Sequence, residues 1–104
     1  MKIIKKGKTK EEIVSEIKTK LISKFKKHRE ILCKRCDGQF ILDASDGKWD
    51  IQLYEPHSTS VRLMFACPTC GTKMLSVFRI PYGTVFEDDV KQAVRELNEQ
   101  YYLN

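Results

Sequence analysis

Between Lys10 and the first cysteine the apolar residues recur three, four and seven apart: Ile13, Val14, Ile17, Leu21, Phe25 and Leu32. At helical pitch they fall within roughly 120° of arc, so the spacing predicts one amphipathic helix over about 10 to 31. Thr9 followed three positions later by Glu12 has the spacing of a capping box and places the start. His28 lies inside the apolar stripe, where a packed, hydrogen-bonded histidine is expected. Ahead of the helix, "MKIIKKGK" reads as a short strand or arm ending near Gly7.

Past Gly38 the period changes from helical to alternating. "QFIL" and "KWDIQLYE" read as two strands, with Asp46-Gly47 between them as a hairpin signal and Trp49, Ile51 and Leu53 on one face. "EPHSTS" is a turn, and its His57 is expected in solvent. "SVRLMFA" alternates Val61, Leu63 and Phe65 against Arg62 and Met64. In "KMLSVFRI" both faces are mainly apolar, which predicts a central strand covered by a helix. Pro81, Tyr82 and Gly83 should stop it. Thr84 with Glu87 repeats the capping spacing, Asp88 and Asp89 suit a helix N-terminus, and Val90, Ala93, Val94, Leu97 and Tyr101 form the stripe of a final helix over about 86 to 100. The expected fold class is α+β: an antiparallel sheet of three to four strands with an N-terminal and a C-terminal helix packed on it, one domain spanning residues 1 to 104.

The four cysteines add chemistry to this outline. Cys33 and Cys36 in "CKRCDGQF" and Cys67 and Cys70 in "CPTCGT" form two Cys-x-x-Cys pairs, each at a strand end. Such turns offer two sulfurs apiece, and four thiolates suit one structural zinc ion in a tetrahedron. The residue after the second cysteine of each knuckle is expected at positive φ so that backbone N–H groups can face the sulfurs; Gly71 is suited to this, and Asp37 tolerates it. Three rivals fit less well. A rubredoxin-like iron site would carry an aromatic where Ala66 stands and a Gly-rich loop. A dithiol oxidoreductase would start a helix at one pair, and catalytic zinc needs an open coordination position, which four cysteines close.

The run Cys33-x-x-Cys36 with Phe40, a strand pair, then Cys67-Pro-x-Cys70-Gly resembles a zinc ribbon, and "MKIIKKGK" at the start is similar to the short zinc-ribbon proteins of bacteriophages and prophages. The resemblance covers residues 1 to 8 and 33 to about 80; the basic helix and the final helix lie outside it. Some zinc-ribbon transcription-cleavage factors hold magnesium with paired acids at a hairpin tip. Here Asp43, Asp46 and Asp50 are never adjacent, and turn chemistry is the expected role. The chain is therefore read as non-catalytic, with no small-molecule substrate.

Charge supplies the clue to partners. Residues 1 to 35 hold thirteen Lys and Arg against four Glu, a net +9; with +5 overall the remainder is −4. A basic end on an acidic body points to an anionic partner, nucleic acid or an acidic protein surface. On the helical wheel Lys20, Lys24 and Lys27 form a ridge leading toward Lys34 and Arg35 at the first knuckle, a candidate track for phosphates. Lys18, Arg29 and the glutamates at 12, 16 and 30 interrupt it. The alternative is a protein-interaction module acting on a host or defence protein, with the zinc purely structural and tyrosines such as Tyr54, Tyr82, Tyr101 and Tyr102 at the contact. No stretch has the apolar length of a signal peptide or membrane span, so a cytoplasmic location is expected.

Overall fold

The computed structural model describes residues 1–2, 4–55, 58–80 and 86–102, the last of them by its backbone alone. His57, the stop at Pro81, Tyr82 and Gly83, and the cap at Thr84 fall outside the described residues. The protein is α+β: the described residues form two antiparallel sheets, with one helix before them and one after.

Helix α1 spans Lys10–Lys27, and Thr9 caps it by accepting a hydrogen bond from the Glu12 N–H at 3.2 Å. Its stripe buries Val14, Ile17, Leu21 and Phe25. The helix ends a turn earlier than the spacing predicts. His28 is its C-cap and is exposed, so it is not the core histidine expected. Glu30–Leu32 instead forms strand β1, pairing antiparallel with β2, Gln39–Ile41. A metal knuckle that begins at Cys33 needs an extended arm on each side. Leu32, although seven residues from Phe25, therefore points outward, about half exposed. Among residues 1–2 and 4–9 no strand forms; Lys8 pairs there with Glu16 at 2.8 Å.

The second sheet has the order β3-β4-β5, from Lys48–Glu55, Ser58–Ala66 and Lys73–Ile80. Two expectations are corrected by this topology. Asp46-Gly47 does not join a hairpin, because β2 and β3 belong to different sheets; a single 3₁₀ turn, Ala44–Asp46, carries the chain between them. Asp43 and Asp46 close that turn on each other, and Arg29 pairs with Asp43 at 2.8 Å. Gly47 is extended, and it is needed for close approach: a Cβ there would meet the Met64 carbonyl oxygen at 2.6 Å. Second, β5 is an edge strand and β4 is central. Met74, Phe78 and Ile80 face the helices, whereas Leu75 and Val77 lie about half exposed on the open face.

Helix α2, Glu87–Leu97, has Phe86 as its N-cap and continues into a π turn, Asn98–Tyr102. Its Val90, Ala93, Val94 and Leu97 join the α1 stripe over Trp49, Val61, Leu63, Phe65, Phe78 and Ile80 in one hydrophobic cluster. Trp49 is the centre: its ring meets Phe25 edge-on at 6.2 Å and Phe78 at 5.6 Å. The Asn98 amide bonds both backbone groups of Trp49, at 2.8 and 3.0 Å, and so covers the β3 edge at that point. Lys18 of α1 pairs with Glu96 of α2 at 2.8 Å, which holds the Glu96 carboxyl below the usual carboxylate range. Among the described residues no helix is long and apolar enough to cross a membrane.

Candidate metal centre

Two hairpins bring the four cysteines together. The first knuckle links β1 to β2 and the second links β4 to β5, and both close with the same hydrogen bonds. Cys33 N–H donates to the Gly38 carbonyl at 2.8 Å and Asp37 N–H to the Cys33 carbonyl at 2.8 Å; Cys67 N–H donates to Thr72 and Gly71 N–H to Cys67, both at 2.9 Å. The residue after each second cysteine is left-handed as expected, Asp37 at φ 59° and Gly71 at φ 75°. Beside the first knuckle a Cβ on Gly38 would press on Cys36 Sγ at 3.2 Å, so a glycine lets the backbone approach that sulfur.

The sulfurs form a compact cluster, all within 4.8 Å of one another. Cys33 and Cys70 lie 3.7 Å apart across the knuckles, as do Cys36 and Cys67. A disulfide would need about 2.05 Å, whereas four sulfurs at about 2.3 Å from one ion form a tetrahedron with edges of about 3.8 Å. The dimensions fit a single metal ion. Cys33 and Cys67 are buried, and Cys36 and Cys70 are half-buried. Phe40 packs edge-on against Phe65 at 6.1 Å, joining the small hairpin to the main core.

The electrostatics divide the thiols. The Thr72 hydroxyl, 3.0 Å from Cys70 Sγ, together with the Thr72 N–H lowers the Cys70 pKa to about 6. The N–H groups of Cys70 and Thr69 lower that of Cys67. At Cys36 the Gly38 N–H also lowers it, but burial and the three neighbouring thiols outweigh that bond and push it up to about 12. Binding a cation at neutral pH must therefore expel at least the Cys36 proton. Zinc titrated into the metal-free protein at pH 7.5 should release protons, read by calorimetry in buffers of different ionisation heat, and affinity should fall as pH falls. A pH-independent affinity would contradict this.

Arg35 is drawn into this centre. Its guanidinium donates to the Thr72 hydroxyl oxygen at 3.1 Å, tying the first knuckle to the second. In the sequence the only signal for Thr72 is its place two residues after Cys70. The proposed basic ridge is likewise divided. Lys24 donates to the Arg79 carbonyl on β5, while Lys20, Lys27 and Lys34 are exposed and have no ion pair among the described residues. Asp50 pairs with Arg62 at 3.1 Å, and Asp43 with Arg29, so both acids are engaged within the fold. Tyr54 and Tyr101 are half-buried. The chain matches no protein-family model, and no curated protein or solved structure is significantly similar to it. The likeness to phage zinc ribbons therefore rests on the motif residues alone.

Proposed function

We propose that the protein is a non-catalytic binding module in which one structural zinc ion, held by Cys33, Cys36, Cys67 and Cys70, fastens two hairpins into a rigid platform for an acidic protein partner. The observation that carries this reading is the pair of matching knuckles with sulfurs at tetrahedral spacing. Four thiolates leave no open coordination position for substrate or activated water, which favours structure over catalysis. Iron would fit the same sulfurs and is the lesser expectation. The basic surface around the end of α1 supplies the complement for an acidic partner.

Nucleic acid is the second reading, supported by Lys20, Lys27 and Lys34, which are exposed and have no ion pair among the described residues. It is placed second because Lys24 and Arg35 are engaged within the fold. Labelled single- and double-stranded oligonucleotides separate the two readings. If phosphates are the target, replacing Lys20 and Lys27 by Gln should lower the magnitude of the log-affinity against log-salt slope by up to about two. The protein-partner reading predicts no oligonucleotide binding even at about 50 mM salt, where such contacts are strongest. Tight, steeply salt-dependent binding would reverse the order.

A further inference from the structure

The two outer strands of the main sheet are treated differently. At β3 the Asn98 amide occupies the backbone of Trp49. At β5 the register fixes which groups are open. Thr72 accepts from Cys67 across the hairpin, so by the alternation of an antiparallel ladder the even-numbered residues bond β4 and the odd-numbered ones point away from it. Lys24 reaching the Arg79 carbonyl from outside agrees with that parity. Lys73, Leu75 and Val77 thus present their N–H and C=O groups along an edge that no other strand pairs among the described residues. Beside it opens a cleft of about 640 Å³ lined by Lys26, Lys27, His28, Ile41 and Ser76 among others.

The same odd-numbered residues carry exposed side chains in the order Lys73, Leu75, Val77, Arg79: cation, apolar, apolar, cation. Cross-strand neighbours on one face interact directly, and like charges placed opposite repel. A second copy pairing antiparallel about Ser76 would set Lys73 against Arg79 of its mate. That arrangement is repelled at both ends, so self-association is disfavoured. An incoming strand with acids at its ends and apolar residues between them would be matched at all four positions.

We propose that the open edge of β5 is a docking site for an extended acidic segment of a partner protein, which adds as a fourth strand and sets carboxylates against Lys73 and Arg79 with apolar side chains over Leu75 and Val77. This rests on the binding-module reading and names its partner's chemistry. Backbone hydrogen bonds to an exposed edge provide affinity, and alternate side chains provide specificity. Lysines also blunt edges against aggregation, and the test must distinguish that role.

The probe is the blocked peptide Glu-Thr-Val-Thr-Val-Thr-Glu, whose pattern reads the same in both directions, added to the zinc-loaded full chain. It should protect the Leu75 and Val77 amides from hydrogen exchange at least tenfold. The peptide with Lys at both ends should bind at least tenfold more weakly, and one N-methylated at its edge-facing amides should not bind. Val77→Pro removes an outward N–H without touching the β4 ladder and should abolish binding. Should that variant fold poorly, Lys73→Glu with Arg79→Glu decides, because it should exchange the preference between the acidic and basic peptides. Equal binding of both peptides, binding of neither, or protection of the edge by a second copy would overturn the proposal. So would oligothymidylate protecting the same amides as well as the acidic peptide does. Metal content is read on the same samples: a zinc-loaded protein that ignores the peptide sinks the edge site alone, and a protein without affinity for zinc sinks the metal reading.

Discussion

Chelating the metal should melt the two knuckles and with them at least the β1–β2 hairpin. That hairpin has three residues per strand, and two-stranded hairpins of this length are marginal in water without a further anchor. Its apolar attachments are modest: Ile31 and Phe40 are only partly buried against the core. A four-thiolate zinc site contributes on the order of 10 kcal/mol of apparent folding free energy, comparable with the whole margin of an ordinary domain. Cys33→Ser and Cys67→Ser should each resemble chelation, because each removes a buried ligand from a different hairpin. Circular dichroism with and without chelator checks this. A chelated protein that keeps its cooperative melt would show that the thiols fasten nothing.

The next largest effect is expected at the aromatic centre of the core. Trp49 is 1% exposed and touches both Phe25 of α1 and Phe78 of β5. Truncating it loses contacts with both the helix and the sheet, so Trp49→Ala or Phe25→Ala should cost about 3 to 5 kcal/mol, and Leu97→Ala in α2 about 2 to 5 kcal/mol. Leu53→Ala, at a side chain 49% exposed, is the control and should cost no more than about half a kcal/mol. Denaturant midpoints of the zinc-bound protein measure all four. If Phe25→Ala leaves the midpoint unmoved, α1 is not docked on the sheet; the same result for Leu97→Ala would release α2.

Where the sequence was legible, a local signal and its tertiary partner agreed. The stripe Val14, Ile17, Leu21 and Phe25 specifies a helix whatever covers it, and the positive φ at Asp37 and Gly71 follows from knuckle geometry alone. The ligand set was legible because only four cysteines exist and their spacing pairs them. Where it misled, a periodicity had two readings. Leu32 continues the helical spacing, yet the hairpin around Cys33 takes Glu30–Leu32 as a strand. Leu75 and Val77 made β5 look central, and their exposure shows that apolar residues can lie on an edge strand's open face. Asp46-Gly47 carried a turn signal, but the glycine is there to pass the Met64 carbonyl. The division of the strands into two sheets and the capture of Arg35 by Thr72 depend on contacts between residues far apart in the chain, which no local window contains.

One zinc ion joining the two hairpins through Cys33, Cys36, Cys67 and Cys70 would have a distinct signature. X-ray absorption at the zinc edge, combined with metal analysis of the purified protein, reads that ligand shell. The expected result is one zinc per chain with four sulfurs at about 2.3 Å and no nitrogen or oxygen neighbour. Protein isolated without zinc, a shell containing nitrogen or oxygen, or a red protein carrying iron would contradict it.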